Sequence, residues 1–145
     1  MIDPAPAYRP GLMARLGGRI SPGILEVLDT VQERSDQWHT ASLEALGGSD
    51  PLWLALGDST AQGIGASSIE HGYVGQLHRR LRDDGRPHDV INLARTGARI
   101  DDVLRRQLHQ AHRLTRRPAL ITCAIGSNDV MRLSAAAAVT GRMRT

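Results

Sequence analysis

The chain has 145 residues, of which 41% are hydrophobic and 23% charged, a balance typical of one globular domain with its own core. The net charge is only +3, with arginines spread along the chain and no lysine, so composition gives no support for a nucleic-acid-binding protein. No run approaches about 18 apolar residues, and we therefore expect no membrane-spanning segment.

The first part of the chain predicts a leader followed by a helical segment. Residues 1–20 are rich in proline and glycine, which favours irregular structure, and they show no signal-peptide pattern. Residues 21–48 have apolar side chains at helical spacing, with Ser21 suited to cap the helix and Pro22 suited to its first turn. The Gly47-Gly48 pair predicts the end of this segment.

Three apolar runs then alternate with two amphipathic ones. The runs at 51–57, 89–94 and 118–126 predict strands. The runs at 72–85 and 99–117 predict helices, because their apolar residues fall on one face. This alternation predicts an α/β fold with parallel strands in the common order 2-1-3. Such folds bind ligands beyond the carboxyl ends of their strands, where two glycine-bearing loops lie.

The only cysteine, Cys123, lies within the third predicted strand. Its apolar surroundings predict a small buried packing residue rather than a reactive thiol. Because one cysteine cannot form an internal disulfide, and because no signal peptide is evident, we expect a cytoplasmic protein.

A serine follows the first predicted strand within three residues. Ser59 lies at the open end of the sheet, where a serine can act as a nucleophile if hydrogen-bond donors stabilise the oxyanion. We expect three such donors: the backbone N–H groups of Ser59 and Gly97 and the side-chain amide of Asn128. Other glycine loops do not fit, since a phosphate-binding loop requires a lysine and a dinucleotide fingerprint requires a glycine where Ser68 stands. The GxSxG serine motif is also absent.

The segments Gly57-Asp58-Ser59, Gly97 and Gly126-x-Asn128-Asp129 resemble three of the four sequence blocks of the SGNH (GDSL) hydrolases, over roughly residues 51–131. The resemblance implies a flavodoxin-like three-layer α/β/α fold. It also implies esterase or lipase activity through an acyl-serine intermediate, with no metal or cofactor. Ser59 is then the nucleophile, and Gly97 and Asn128 complete the oxyanion hole. We expect Asp58 and Asp129 to be structural, because their side chains can bond to nearby backbone.

The fourth block of that family, Asp-x-x-His, does not follow these three. The one match, Asp36-x-x-His39, precedes the serine and fits an ordinary amphipathic helix with Trp38 packed inward. His71 is the only other histidine that we keep as a candidate base. We therefore expect residues 51–145 to be an incomplete hydrolase domain, truncated after the third strand and lacking the catalytic Asp and His.

Two partner predictions follow from this interpretation. We expect a small-molecule ester substrate and no nucleic acid. We also expect the third strand to be an exposed apolar edge, which favours self-association. The alternative to a fragment of an active esterase is an inactive remnant of the same fold that acts as a binding or interaction module.

Overall fold

A three-stranded parallel sheet forms the centre of the structure, a computed structural model that describes residues 22–131, with side chains from residue 30 to residue 130. Its strands are β1 (Leu52–Gly57), β2 (Asp89–Asn92) and β3 (Pro118–Ala124). The order is β2-β1-β3, and both neighbours of β1 run parallel to it. The α/β class, the parallel sheet and the order 2-1-3 are therefore confirmed. The predicted leader, the Ser21 cap and the segment after residue 131 lie outside the described residues.

Helices precede, connect and follow the strands. The longest helix precedes β1 and is continuous, and two of the short ones directly follow strands. The predicted helix over 99–117 is shorter, since it ends in i→i+3 turns after residue 111, and it contains a π-helical stretch, Val103–Gln107. The helices are α1 (Pro22–Leu46), α2 (Ser59–Gln62), α3 (Tyr73–Asp83), α4 (Ile100–Asp102), α5 (Leu108–Ala111) and α6 (Ser127–Met131).

Strand β1 is buried along its whole length, which explains its continuous apolar run. Its alternate residues point to opposite faces of the sheet. One set packs in a cluster with α1 and α3, and the other packs against the helical segment 100–111. Each fully buried large side chain contributes about 1.5–3 kcal/mol. The first set is Trp53 and Ala55, and the second is Leu52, Leu54 and Leu56.

Helix α1 covers the free edge of β2. The Trp38 indole is buried, as predicted, and its Nε1 donates to the carbonyl oxygen of Gln62 at 3.0 Å. One turn later, the Ser42 hydroxyl accepts a hydrogen bond from the backbone N–H of Asn92 at 3.1 Å. Both partners of this second bond are buried, so α1 supplies an acceptor that another strand would otherwise provide. No helix among residues 22–131 is long and apolar enough to cross a membrane.

Cys123 is exposed, so the prediction of a buried packing residue is wrong. Strand β3 alternates between half-buried and exposed side chains, because only one of its faces packs on the core. Leu120 and Ala124 contact the cluster shared with α3, whereas Cys123 lies on the same face as Ile121, which is 56% exposed. Neighbouring protein atoms still exclude enough water to raise the pKa of the Cys123 thiol, and the charge of Asp58 raises it further.

Candidate active site

The loops that follow the three strands meet at the carboxyl end of the sheet. Strand β1 leads directly into Asp58 and Ser59, β2 leads to Gly97, and β3 leads to Asn128. Hydrogen bonds join the three loops through the neighbours of these residues. The structure therefore brings the three candidate residues, Ser59, Gly97 and Asn128, to one edge of the sheet.

The end of β1 is fixed by a buried glutamine that sequence reasoning missed. The Gln107 side chain accepts from the Gly57 N–H at 2.9 Å and donates to the Gly57 carbonyl at 2.8 Å, in the manner of a neighbouring strand. Gly57 has φ +141°, and a Cβ atom there would overlap the carbonyl oxygen of Ala124. The signal that could have revealed Gln107 is its position four residues after Val103, on the apolar face of the helix.

Asp58 links the first and third loops. Its carboxylate is 1% exposed; Oδ1 accepts from the Thr60 N–H at 3.0 Å and Oδ2 from the Ser127 hydroxyl at 2.6 Å. The first bond caps α2, the short helix that begins with Ser59. These contacts agree with the structural role that we expected for Asp58.

Asp129 links the third loop to the helix that follows β2. Its carboxylate is fully buried, and it accepts from the Ile100 N–H at 3.0 Å and from Nε of Arg99 at 3.2 Å. A buried carboxylate is stable only when it is paired and hydrogen-bonded, and both conditions hold here. Asp129 thus fixes the start of the helix at a set position relative to Asn128.

Ser59 and Gly97 present backbone donors that no described residue accepts. Neither N–H group bonds to another residue within 22–131, and the Ser59 hydroxyl has no partner in that range either. Ser59 is half-buried, and Gly97 is exposed with φ +77° and open space beside its Cα. Within the described range, the Ser59 N–H and hydroxyl and the Gly97 N–H thus lie without partners at the same edge of the sheet, and such donors are what an oxyanion site requires.

The third candidate donor, Asn128, is differently placed. One N–H of its amide donates to the Ala98 carbonyl at 2.9 Å, and Nδ2 also lies 3.5 Å from Oδ2 of Asp58. The amide thus connects the loop after β2 to the loop after β3. To bind an oxyanion, Asn128 would have to exchange the weak contact to Asp58 for a bond to the substrate.

Two further buried amides hold α2 in place, and sequence reasoning missed both. Asn92 donates through Nδ2 to the Ala61 carbonyl at 2.8 Å. The Oε1 atom of Gln62 accepts from the N–H and the hydroxyl of Thr96, each at 2.6 Å. Because Asn92 and Gln62 are 2% and 4% exposed, these bonds are shielded from water and set the orientation of the helix that carries Ser59.

No histidine within residues 22–131 is hydrogen-bonded to Ser59, although all six histidines of the chain lie there. Nδ1 of His71 lies 2.8 Å from the Ser67 hydroxyl, and its ring is exposed. Asp36 is exposed on α1 and accepts from Gln32 of the same helix, which agrees with an ordinary amphipathic helix. The described residues also contain no group of three or more His, Cys, Asp or Glu side chains that could hold a metal ion.

Comparison with known protein families gives a match to this chain. The family model of the GDSL-like Lipase/Acylhydrolase family matches residues 55–145, which is more than half of the chain. The search of curated proteins found no match.

Proposed function

The chain belongs to the GDSL-like Lipase/Acylhydrolase family, and from this we propose that it is a serine hydrolase, or part of one, which cleaves carboxylic esters through an acyl-serine intermediate at Ser59. The observation that carries the proposal is that the N–H groups of Ser59 and Gly97 and the Ser59 hydroxyl, at the same edge of the sheet, have no partner among the described residues. A three-layer fold of this kind holds its ligands at this edge of the sheet.

In the proposed reaction, Ser59 Oγ forms a bond to the ester carbonyl carbon, and the carbonyl electron pair moves onto oxygen. The Ser59 and Gly97 N–H groups and the Asn128 amide donate to that oxyanion. When the carbonyl re-forms, the bond to the alcohol oxygen breaks and the alcohol leaves with the proton that the serine gave up. Water then attacks the acyl-serine by the same route, which releases the acid and restores Ser59.

A general base must receive the Ser59 proton, and no histidine among the described residues bonds to this hydroxyl. We therefore propose that the base and its carboxylate belong to a longer protein of which this sequence is a fragment. Without the base, the oxyanion donors alone support only a small share of the activity, since loss of one triad member costs on the order of 10⁴-fold in related chemistry.

The test is hydrolysis of 4-nitrophenyl butyrate by the purified chain, next to Ser59→Ala and Thr60→Ala. Thr60 is the matched control, because its exposed hydroxyl lies one residue further along the same helix. We expect slow turnover above the uncatalysed rate, which Ser59→Ala abolishes and Thr60→Ala leaves within about twofold. Equal rates for the chain and Ser59→Ala would overturn the proposal for this chain and favour the inactive binding module instead.

We propose in addition that the exposed edge of β3 mediates self-association. Ala119, Ile121 and Cys123 are exposed on the uncovered face of β3, and among the described strands only β1 pairs with it, so that its other edge is open. Unpaired backbone groups on an apolar edge are a template for pairing with another chain. A cytoplasmic location stays a prediction from the single cysteine.

A further inference from the structure

We propose that the cleft beside Gly97 binds a carboxylate group of the substrate, so that the hydrolysed ester is an acidic one. This inference rests on the proposed function, because it assigns a substrate class to the same site. The cleft has a volume of about 190 Å³ and is lined by the loop after β2 and the helix that follows it, namely by Arg95, Thr96, Gly97, Ala98, Asp102 and Arg106.

Arg95 is the central residue of the proposal. Its backbone N–H donates to the Gly57 carbonyl at 3.1 Å, so this residue is fixed beside the end of β1, two residues before Ser59. Its guanidinium has no hydrogen bond or ion pair with any residue between 22 and 131, although the side chain is half-buried. An unpaired guanidinium at the rim of a cleft can bind an anion there through charge-assisted hydrogen bonds.

The remaining charges leave the cleft positive. Nε of Arg106 lies 3.6 Å from Oδ1 of Asp102 one helical turn earlier, so these two charges offset one another. The uncompensated charge is therefore that of Arg95. A planar guanidinium matches a carboxylate with two parallel hydrogen bonds, which favours a carboxylate over a neutral polar group.

The geometry also connects the cleft to the reaction. Gly97 lines the cleft and carries one of the two N–H groups that we assign to the oxyanion site. A carboxylate held by Arg95 would place the rest of the ester within a few bonds of that N–H. The positive charge would also stabilise the negative charge that develops on the oxyanion.

Binding is measured on the Ser59→Ala protein, so that the result does not depend on turnover. The probes are monomethyl succinate, with its carboxylate on the acyl side, O-acetylglycolate, with its carboxylate on the alcohol side, and the neutral dimethyl succinate. Backbone amide NMR shifts of residues 95–98 report occupancy of the cleft. We expect at least one acidic ester to bind about tenfold more tightly than the neutral diester, the gain of a charge-assisted hydrogen bond.

Substitution then identifies the residue responsible. Arg95→Gln, in the same Ser59→Ala background, should reduce the preference for the acidic ester to less than about threefold, with loss of the shift at Gly97. Arg105→Gln is the matched control, because Arg105 is exposed on the helical segment that follows this loop and does not line the cleft. Equal binding of acidic and neutral esters, or an equal loss in both variants, would overturn the inference. Failure of the proposed function would instead appear in the butyrate assay, which involves no carboxylate.

Discussion

The two edges of the sheet differ in how they are covered by the rest of the chain. At the β2 edge, α1 contributes the buried Trp38 indole and the Ser42 hydroxyl, which accepts from the Asn92 N–H. At the β3 edge, Ile121 is 56% exposed and no described strand or helix pairs with the backbone. Whether the edge of a strand is covered therefore depends on an element that is far away in the sequence.

The two sides of the sheet also differ in the side chains that hold the candidate site through hydrogen bonds. Buried side chains surround the end of β1: Asn92 and Gln62 brace α2, and Gln107 bonds to both backbone groups of Gly57. These hydrogen bonds all involve β1, β2 or the loops that follow them. On the β3 side, Asp58, Asn128 and Asp129 connect the third loop to the first two, and the Asp58 N–H donates to the Ala124 carbonyl. Three buried amides thus hold the end of β1 and α2 on the covered side, whereas two buried carboxylates and the Asn128 amide join the loops on the open side.

Loss of the Ser42 hydroxyl should remove the hydrogen bond that covers the β2 edge and should have the largest effect on stability. Ser42→Ala leaves the buried Asn92 N–H without an acceptor, which should lower the free energy of unfolding by about 1–3 kcal/mol. Thr40→Ala is the control, because Thr40 is exposed on the same helix and alanine there should gain about 0.5 kcal/mol in helix propensity. Urea denaturation of both variants measures the difference, and equal stabilities would show that α1 contributes no hydrogen bond to the edge.

The sequence predicted most of the fold because periodicity and strand order depend on local pattern and on general packing rules. The apolar run of β1, the amphipathic pattern of α3 and the parallel order all follow from such rules. Cys123 could not be placed correctly by the same rules. Its run is as apolar as that of β1, and only the tertiary structure determines that its face is uncovered.

For the candidate site, the sequence indicated which loops meet, because the carboxyl ends of parallel strands lie at one edge. It did not indicate the hydrogen bonds that hold those loops. The helical spacing places Gln107 on the apolar face of its segment, but its two bonds to Gly57 depend on the distance between that segment and β1, which the spacing does not give. The engagement of the Asn128 amide with Ala98 likewise depends on the exact separation of two loops.

A substitution at Tyr73 tests how closely α3 covers the inner face of β3. Its hydroxyl is buried without a hydrogen-bond partner in the described part of the chain, and burial raises its pKa, an effect that the Thr122 hydroxyl opposes. A raised pKa in the folded state means that the protonated phenol stabilises the fold below its ordinary pKa of about 10, and that this stability is lost as pH rises through the folded pKa.

Tyr73→Phe should therefore change the stability at pH 7 by less than about 1 kcal/mol and make the loss of stability above about pH 10 less steep. Urea denaturation at pH 7 and at pH 10.5 measures both effects. The thiol of Cys123, whose pKa is also raised, titrates in both proteins, and its charge adds to the rise in the Tyr73 pKa that the variant removes. An alkaline slope equal to that of the parent chain would mean that the phenol is solvated, and that α3 covers β3 less closely than the structure indicates.

The smallest effect on stability is expected at the open edge, where the effect on association should be decisive. Ile121→Lys introduces a charge on an exposed strand, so the free energy of unfolding should change by less than about 0.5 kcal/mol. A lysine on an edge strand disfavours pairing, because its charge would have to be desolvated or brought next to its own copy in a second chain. Sedimentation velocity over a range of concentrations should thus show association of the parent chain and a monomer for this variant.

Val130→Lys is the control, since Val130 is 64% exposed on α6 and outside the strand. A parent chain that stays monomeric, or equal dissociation by both variants, would mean that the exposed edge of β3 is not an interface, and that exposure of an apolar strand is by itself insufficient for pairing.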